Sequence, residues 1–193
     1  MSDMLLTYEA NPGAQGASIA ALYFNAAGVL CYVLNDGTER KVPMTLQNRA
    51  TADQSLTTQI ALQNATNLSF TIAASEEWTA ELSLDVGALL STTGLKVGVS
   101  FPVGATVNAV ASLVPDVVSN TNYSALRTTA NNTAMDFTAA KEANVSNAAV
   151  KVSLWVLNGA NAGTMQLLFA QSTSSATATT IRKGSSIVAR QVV

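Results

Sequence analysis

With no histidine anywhere in the chain, the side chains left for acid–base chemistry are carboxylates. The candidates are Glu76, Glu77, Glu81, Asp85, Asp116 and Asp136. A glycosidase needs two carboxyl groups flanking one bond, about 5–9.5 Å apart. Glu81 and Asp85 share the polar face of one predicted strand, roughly 13 Å apart at ~3.3 Å per residue, which is too wide. Glu76 and Glu77 are adjacent, so in a strand they point to opposite faces. No Asp-rich loop carries the spacing of a calcium site. All six read as solvated face charges, and an enzyme acting on cell-wall polysaccharide would need a convergent pair that this spacing does not supply.

The missing imidazole also removes Ser-His-Asp and Cys-His catalysis and His-ligated zinc. Neither a Gly-x-x-x-x-Gly-Lys-Ser/Thr loop nor a Gly-x-Gly-x-x-Gly turn is present to cradle phosphate. A Gly-x-Ser-x-Gly elbow is absent too. The expectation is a chain that is not an enzyme and takes no cofactor or metal. The single cysteine, Cys31, excludes a disulfide within the chain. It lies in the run Val29-Leu30-Cys31-Tyr32-Val33 and reads as a small buried apolar residue. Trp78 is in register with Ala80, Leu82 and Leu84 and reads as core. Trp155 falls on the face of Lys151 and Ser153, so it is expected at a subunit interface or a carbohydrate-stacking groove, the interface being preferred.

Composition sets the frame for these residues. The chain has 193 residues, 48% hydrophobic but only 11% charged, with a net charge of −2. Globular proteins carry about 25% charged residues. Solubility must therefore rest on Ser, Thr and Asn, a choice that suits sheets and turns better than exposed helices. Arg182-Lys183, Arg190 and Arg40-Lys41 read as solvated charges, so neither nucleic acid nor an anionic membrane is an expected partner. The first residues show no basic segment or long apolar run, so no secretory leader is expected. Sequons such as Asn64-Ala65-Thr66 and Asn122-Tyr123-Ser124 follow from Asn and Thr abundance. No apolar stretch is long enough for a membrane helix.

Hydrophobic period then places the elements. Residues 1–20 form an unpatterned lead-in around Asn11-Pro12-Gly13. Three short apolar runs, punctuated by Asn25 to Gly28 and by Asn35-Asp36-Gly37, predict a three-stranded meander over 21–42. Alone it is too small to bury much, so it should pack on the main domain or on a neighbouring chain. Residues 43–66 read as a linker, with Leu56, Ile60 and Leu62 allowing one more strand. Period-two alternation predicts strands at Leu68 to Ile72, Trp78 to Asp85 and Leu95 to Phe101, ending at Pro102 and Gly104. Residues 105–146 are expected to form loops with one short helix, over Tyr123 to Asn131 or Thr138 to Ala143. Strands return at Val150 to Val156, Met165 to Phe169 and Ser186 to Val193. The fold expected is mainly β: an antiparallel β-sandwich, jelly-roll-like, over residues 51–193, preceded by an N-terminal arm and small β-meander over residues 1–50.

Three segments carry a resemblance over roughly residues 55–193. One is Leu68-Ser69-Phe70-Thr71-Ile72 running through Ala73 to Trp78. Another is Leu95 to Phe101 with Pro102-Val103-Gly104-Ala105-Thr106. The third is Asn158 to Thr164 with Leu167 to Ser174, then Thr179-Thr180-Ile181 and Lys183-Gly184-Ser185. Together they resemble small bacteriophage virion structural proteins with a β-sandwich, the head-decoration, cement and tail-fibre proteins. The chain departs from that pattern at Phe169, where the family often has Trp, and at Ile187-Val188. The Leu22 to Thr38 meander is similar, less specifically, to the attachment region of phage accessory proteins.

The resemblance implies a capsid decoration or cement protein, a homotrimer capping the head shell through contacts with the major capsid protein or other virion proteins. It implies a location in the virion, assembled in the host cytoplasm, and supplies no catalytic residue. Candidate interface residues are Tyr23, Phe24, Tyr32 and Trp155. The competing expectation is a tail-fibre or head-fibre domain that binds a host surface glycan through Trp155, Tyr123 and the loops at 119–133.

Overall fold

Alternating side chains dominate the chain, and every regular element among the described residues is a strand. The computed structural model describes residues 21–26, 30–34, 36–87, 93–115, 124–137 and 147–192. The lead-in at 1–20, Asp116, Tyr123 and the stretch 138–143 lie outside them. The chain divides into two compact units, at the boundary between Met44 and Thr45. The sequence patterning places a boundary at 50/51.

The first unit is the meander. Strands β1 (Ala21–Phe24), β2 (Leu30–Val33) and β3 (Glu39–Lys41) pair antiparallel in that order. The tight β2–β3 turn uses Gly37 at φ 82°, a left-handed conformation that glycine adopts without a Cβ clash. Asp36 fixes the same turn by accepting the Thr38 backbone N–H at 2.8 Å.

The second unit is an antiparallel sandwich with one continuous apolar core. Among the described residues its larger sheet has eight strands. They are β4 (Thr45–Arg49), β5 (Gln54–Leu56), β7 (Glu77–Gly87), β9 (Thr106–Pro115), β10 (Ser124–Thr128), β12 (Asn147–Leu157), β14 (Thr179–Ile181) and β15 (Ser186–Val192). The order runs β10-β9-β12-β7. Beyond β7 the sheet splits: β15 pairs with β7 and then β4, while β14 pairs with the end of β7 and then β5. The smaller sheet has the order β11-β8-β13-β6, from β6 (Gln63–Ile72), β8 (Lys96–Ser100), β11 (Met135–Asp136) and β13 (Gly163–Ala170).

The alternation read in the sequence is the alternation that packs. Trp78, Ala80, Leu82, Leu84 and Val86 of β7 are buried, as are Val150, Val152, Leu154 and Val156 of β12. Leu95, Val97 and Val99 face them from the smaller sheet's side of the core, with Met165, Leu167 and Phe169. Each such side chain removed from water contributes about 1.5–3 kcal/mol. Trp78 stacks obliquely on Phe70, with ring centres 5.4 Å apart.

Two expectations are corrected. Residues 43–66 are not a linker: they hold β4, β5 and the start of β6. Both β4 and β5 are sheet-edge strands with little buried surface, so their sequence carries almost no alternation. Residues 105–115 are not loop either. There β9 lies between β10 and β12, with Val107, Ala109, Ala111 and Leu113 facing the core. Alanine at two of those four positions hides the period. Residues 124–128, within one of the two stretches expected to be helical, form strand β10.

Candidate functional site

Four of the six carboxylates identified in the sequence, Glu76, Glu77, Asp85 and Asp136, are tied to neighbouring groups, while Glu81 is exposed on the outer face of the larger sheet. Glu76 follows the β6–β7 turn and accepts hydrogen bonds from Ala73 N (2.8 Å) and the Trp78 indole N–H (2.9 Å) through Oε2. Its Oε1 accepts from Gln191 Nε2 at 2.8 Å. Glu77 accepts the Trp155 indole N–H at 2.7 Å. Asp85 lies 3.8 Å from the Arg182 guanidinium. Asp136 accepts from Ser172 Oγ at 2.6 Å and lies 3.8 Å from Lys96 Nζ. Asp116 is outside the described residues. Among the described residues no three Cys, Asp or Glu side chains converge into a metal-binding group.

Two surfaces remain as candidates for function. One is the outer face of the larger sheet. Antiparallel register aligns Asn108, Trp155, Thr79 and Arg190 in a row across β9, β12, β7 and β15. The adjacent row is Val110, Ser153, Glu81 and Val188. The small side chains Thr79 and Ser153 sit among larger neighbours, and the two rows enclose an open depression of about 380 Å³. Trp155 is half-buried at its side. Asn108 is held from its other flank: Arg127 Nε donates to its Oδ1 at 2.7 Å. Exposed Val114, Leu157 and Val192 extend the same face.

The other surface belongs to the meander, whose two faces differ. Tyr23, Cys31 and Val33 form a small buried cluster on one face. There Glu39 accepts from the Tyr23 hydroxyl, from Asn25 Nδ2 (3.2 Å) and from Cys31 Sγ (3.4 Å). Burial first, then the bond to Glu39, pushes the Tyr23 phenol up to about 12. The same two causes, in that order, raise the Cys31 thiol. The bond from Tyr23 holds Glu39 below the usual glutamate range. Leu22 and Phe24 lie on the opposite face, paired with Tyr32 and Leu30. Leu22 is 41% exposed, and the other three are half-buried.

Of the four sequence candidates, Phe24 and Tyr32 thus share an apolar face. Tyr23 lies on the face behind it, tied to Glu39. Trp155 belongs to the other unit, the sandwich, and Tyr123 is outside the described residues. Sequence reasoning missed the Glu77–Trp155 bond. Both residues have outward parity, but only the β7–β12 register puts them within reach.

No family model matches the chain, and no curated protein matches it. Among solved structures, the VP2 subviral particle of infectious bursal disease virus is similar over 81% of this chain at 13% identity, with a TM-score of 0.22. The Gx strain of the same virus is similar over 83% of this chain at 14% identity, again with a TM-score of 0.22. The chain spans 44% and 47% of those two chains, less than half their length.

Proposed function

We propose that the chain is a structural protein of a virion, a bacteriophage head-decoration or cement protein that caps the shell through subunit contacts. The observation that carries this reading is the face of the meander opposite its buried cluster. Leu22, Phe24, Leu30 and Tyr32 put an apolar patch on a unit that has its own small core. Such a patch on so small a unit is suited to docking on another protein. The sandwich supports the same reading from a different side. Its carboxylates hold turns, an indole and cations, and it has no histidine or phosphate cradle to offer chemistry. The resemblance of residues 55–193 to phage virion sandwiches gives the partner class: the major capsid protein, with further copies of this chain as a homotrimer.

The test is co-sedimentation of the full chain with particles of the phage that encodes it, stripped of the protein. Replacing Leu22→Asp and Tyr32→Asp together puts two charges on the meander's apolar face without touching the sandwich core. The expected outcome is loss of particle binding with the β circular-dichroism spectrum retained. Undiminished binding of the double variant rules the reading out. A second reading, a fibre-type domain that takes a host glycan, is favoured by the Trp155 depression alone.

A further inference from the structure

We infer that the two register rows around Trp155 form a binding subsite for a neutral pyranose sugar. It deepens and rests on the second reading above, and is independent of the docking face on the meander, because every lining residue belongs to the sandwich unit. Three features carry it. The first is the indole. Its N–H is donated to Glu77 Oε1 at 2.7 Å, which fixes the ring and leaves its π-surface as the part that can serve a ligand. The apolar C–H face of a pyranose is the complement of such a ring.

The second feature is the polar fringe. Thr79, Arg190 and Asn108 lie in the row of Trp155, and Glu81 and Ser153 in the next. Planar amide, carboxylate and guanidinium groups can each engage neighbouring sugar hydroxyls. Asn108 accepts from Arg127 through its Oδ1, so its NH₂ is the group that remains to donate to a ligand hydroxyl. The third feature is charge and size. One carboxylate and one guanidinium line the depression, so it favours neither sign and suits an uncharged ligand. Four strands at ~4.8 Å and two rows at ~7 Å span roughly 14 by 7 Å, room for one or two pyranose rings. The volume of about 380 Å³ lies at the lower end of the ~300–1,000 Å³ of small-molecule sites.

The experiment titrates the full chain with methyl β-glucoside, methyl β-galactoside and N-acetylglucosamine, and with sialic acid as the charged comparison. Tryptophan emission and saturation-transfer NMR are the readouts. A neutral glycoside is expected to bind with millimolar affinity and perturb the indole. Binding should vanish in Trp155→Ala and weaken about threefold to tenfold in Asn108→Ala. Asn108→Ala and Glu81→Gln carry the test should Trp155→Ala fail to fold, because both side chains are outside the core. The inference is overturned if no neutral sugar binds, if only sialic acid binds, or if binding persists unchanged in the Asn108 and Glu81 variants. Sedimentation showing self-association through this face, lost in Trp155→Ala, also overturns it. None of these outcomes bears on the Leu22/Tyr32 experiment, so the two readings fail separately.

Discussion

Glu76 uses both carboxylate oxygens to hold the sandwich closed at one end. It ties the β6–β7 turn, the Trp78 indole and Gln191 of the last strand. Removing it leaves the N–H of a fully buried tryptophan without a partner. Glu76→Ala should therefore cost about 2–4 kcal/mol in urea unfolding. Glu81→Gln, on the exposed face, should stay within about 0.5 kcal/mol. Glu39 plays the corresponding part in the meander. Its pKa is lowered in the folded state, so its contribution is fully present above the ordinary glutamate pKa. That contribution is lost as pH falls through the depressed value. Tyr23 has the opposite sign: its raised pKa stabilises the meander below the ordinary phenol value, and that is lost as pH climbs through about 12. Ultraviolet titration of phenolate should show a component near 12 that disappears in Tyr23→Phe. Cys31, buried against the same carboxylate, should react with thiol reagents only when the meander unfolds.

At the scale of elements, side-chain hydrogen bonds close what the ladders leave open. In β6 the backbone bulges at Asn67, at φ 62°, where pairing with β13 shifts register. Gln166 fills the bulge, its amide donating to Ala65 O at 2.7 Å and to Leu167 O at 2.8 Å. The turn after β12 is tied by Asn158, which is buried and donates to Ala73 O and Asn161 O. Beside it Gly159 lies so near the backbone of Gly104 that a Cβ would sit 2.7 Å from its carbonyl oxygen. Backbone cannot yield there, so Gly159→Ala should cost about 1–3 kcal/mol, read as a lowered urea midpoint. None of these devices has a period, which is why the sequence does not display them. Strands with large residues on one face, such as Trp78 to Val86, were legible because burial imposes the alternation. Strand β9 was not, since Ala109 and Ala111 are small on a buried face. Edge strands β4 and β5 were not, because an edge has little to bury. For the site, outward parity exposed Trp155. Its neighbours Asn108, Thr79 and Arg190 come from three other strands, and only register assembles them. The parity of Tyr23 against Phe24 was readable in principle, but which face of the meander is covered was not.

For the whole molecule, the chain divides between Met44 and Thr45 into two compact units. The sandwich keeps its own core, and on the reading proposed above the meander is the unit that docks. A fragment beginning at Thr45 should thus unfold in one cooperative transition with the urea midpoint of the parent's sandwich, yet fail to sediment with particles. That outcome would place attachment in the first unit independently of any point substitution. The central claim, that this chain decorates a phage head through its meander, is tested most directly by electron cryomicroscopy of intact particles. The account expects density for the chain on the outer surface of the head shell, with Leu22, Phe24, Leu30 and Tyr32 against a shell subunit. Finding the chain elsewhere in the particle, or seated on the shell with those four side chains in solvent, would contradict it.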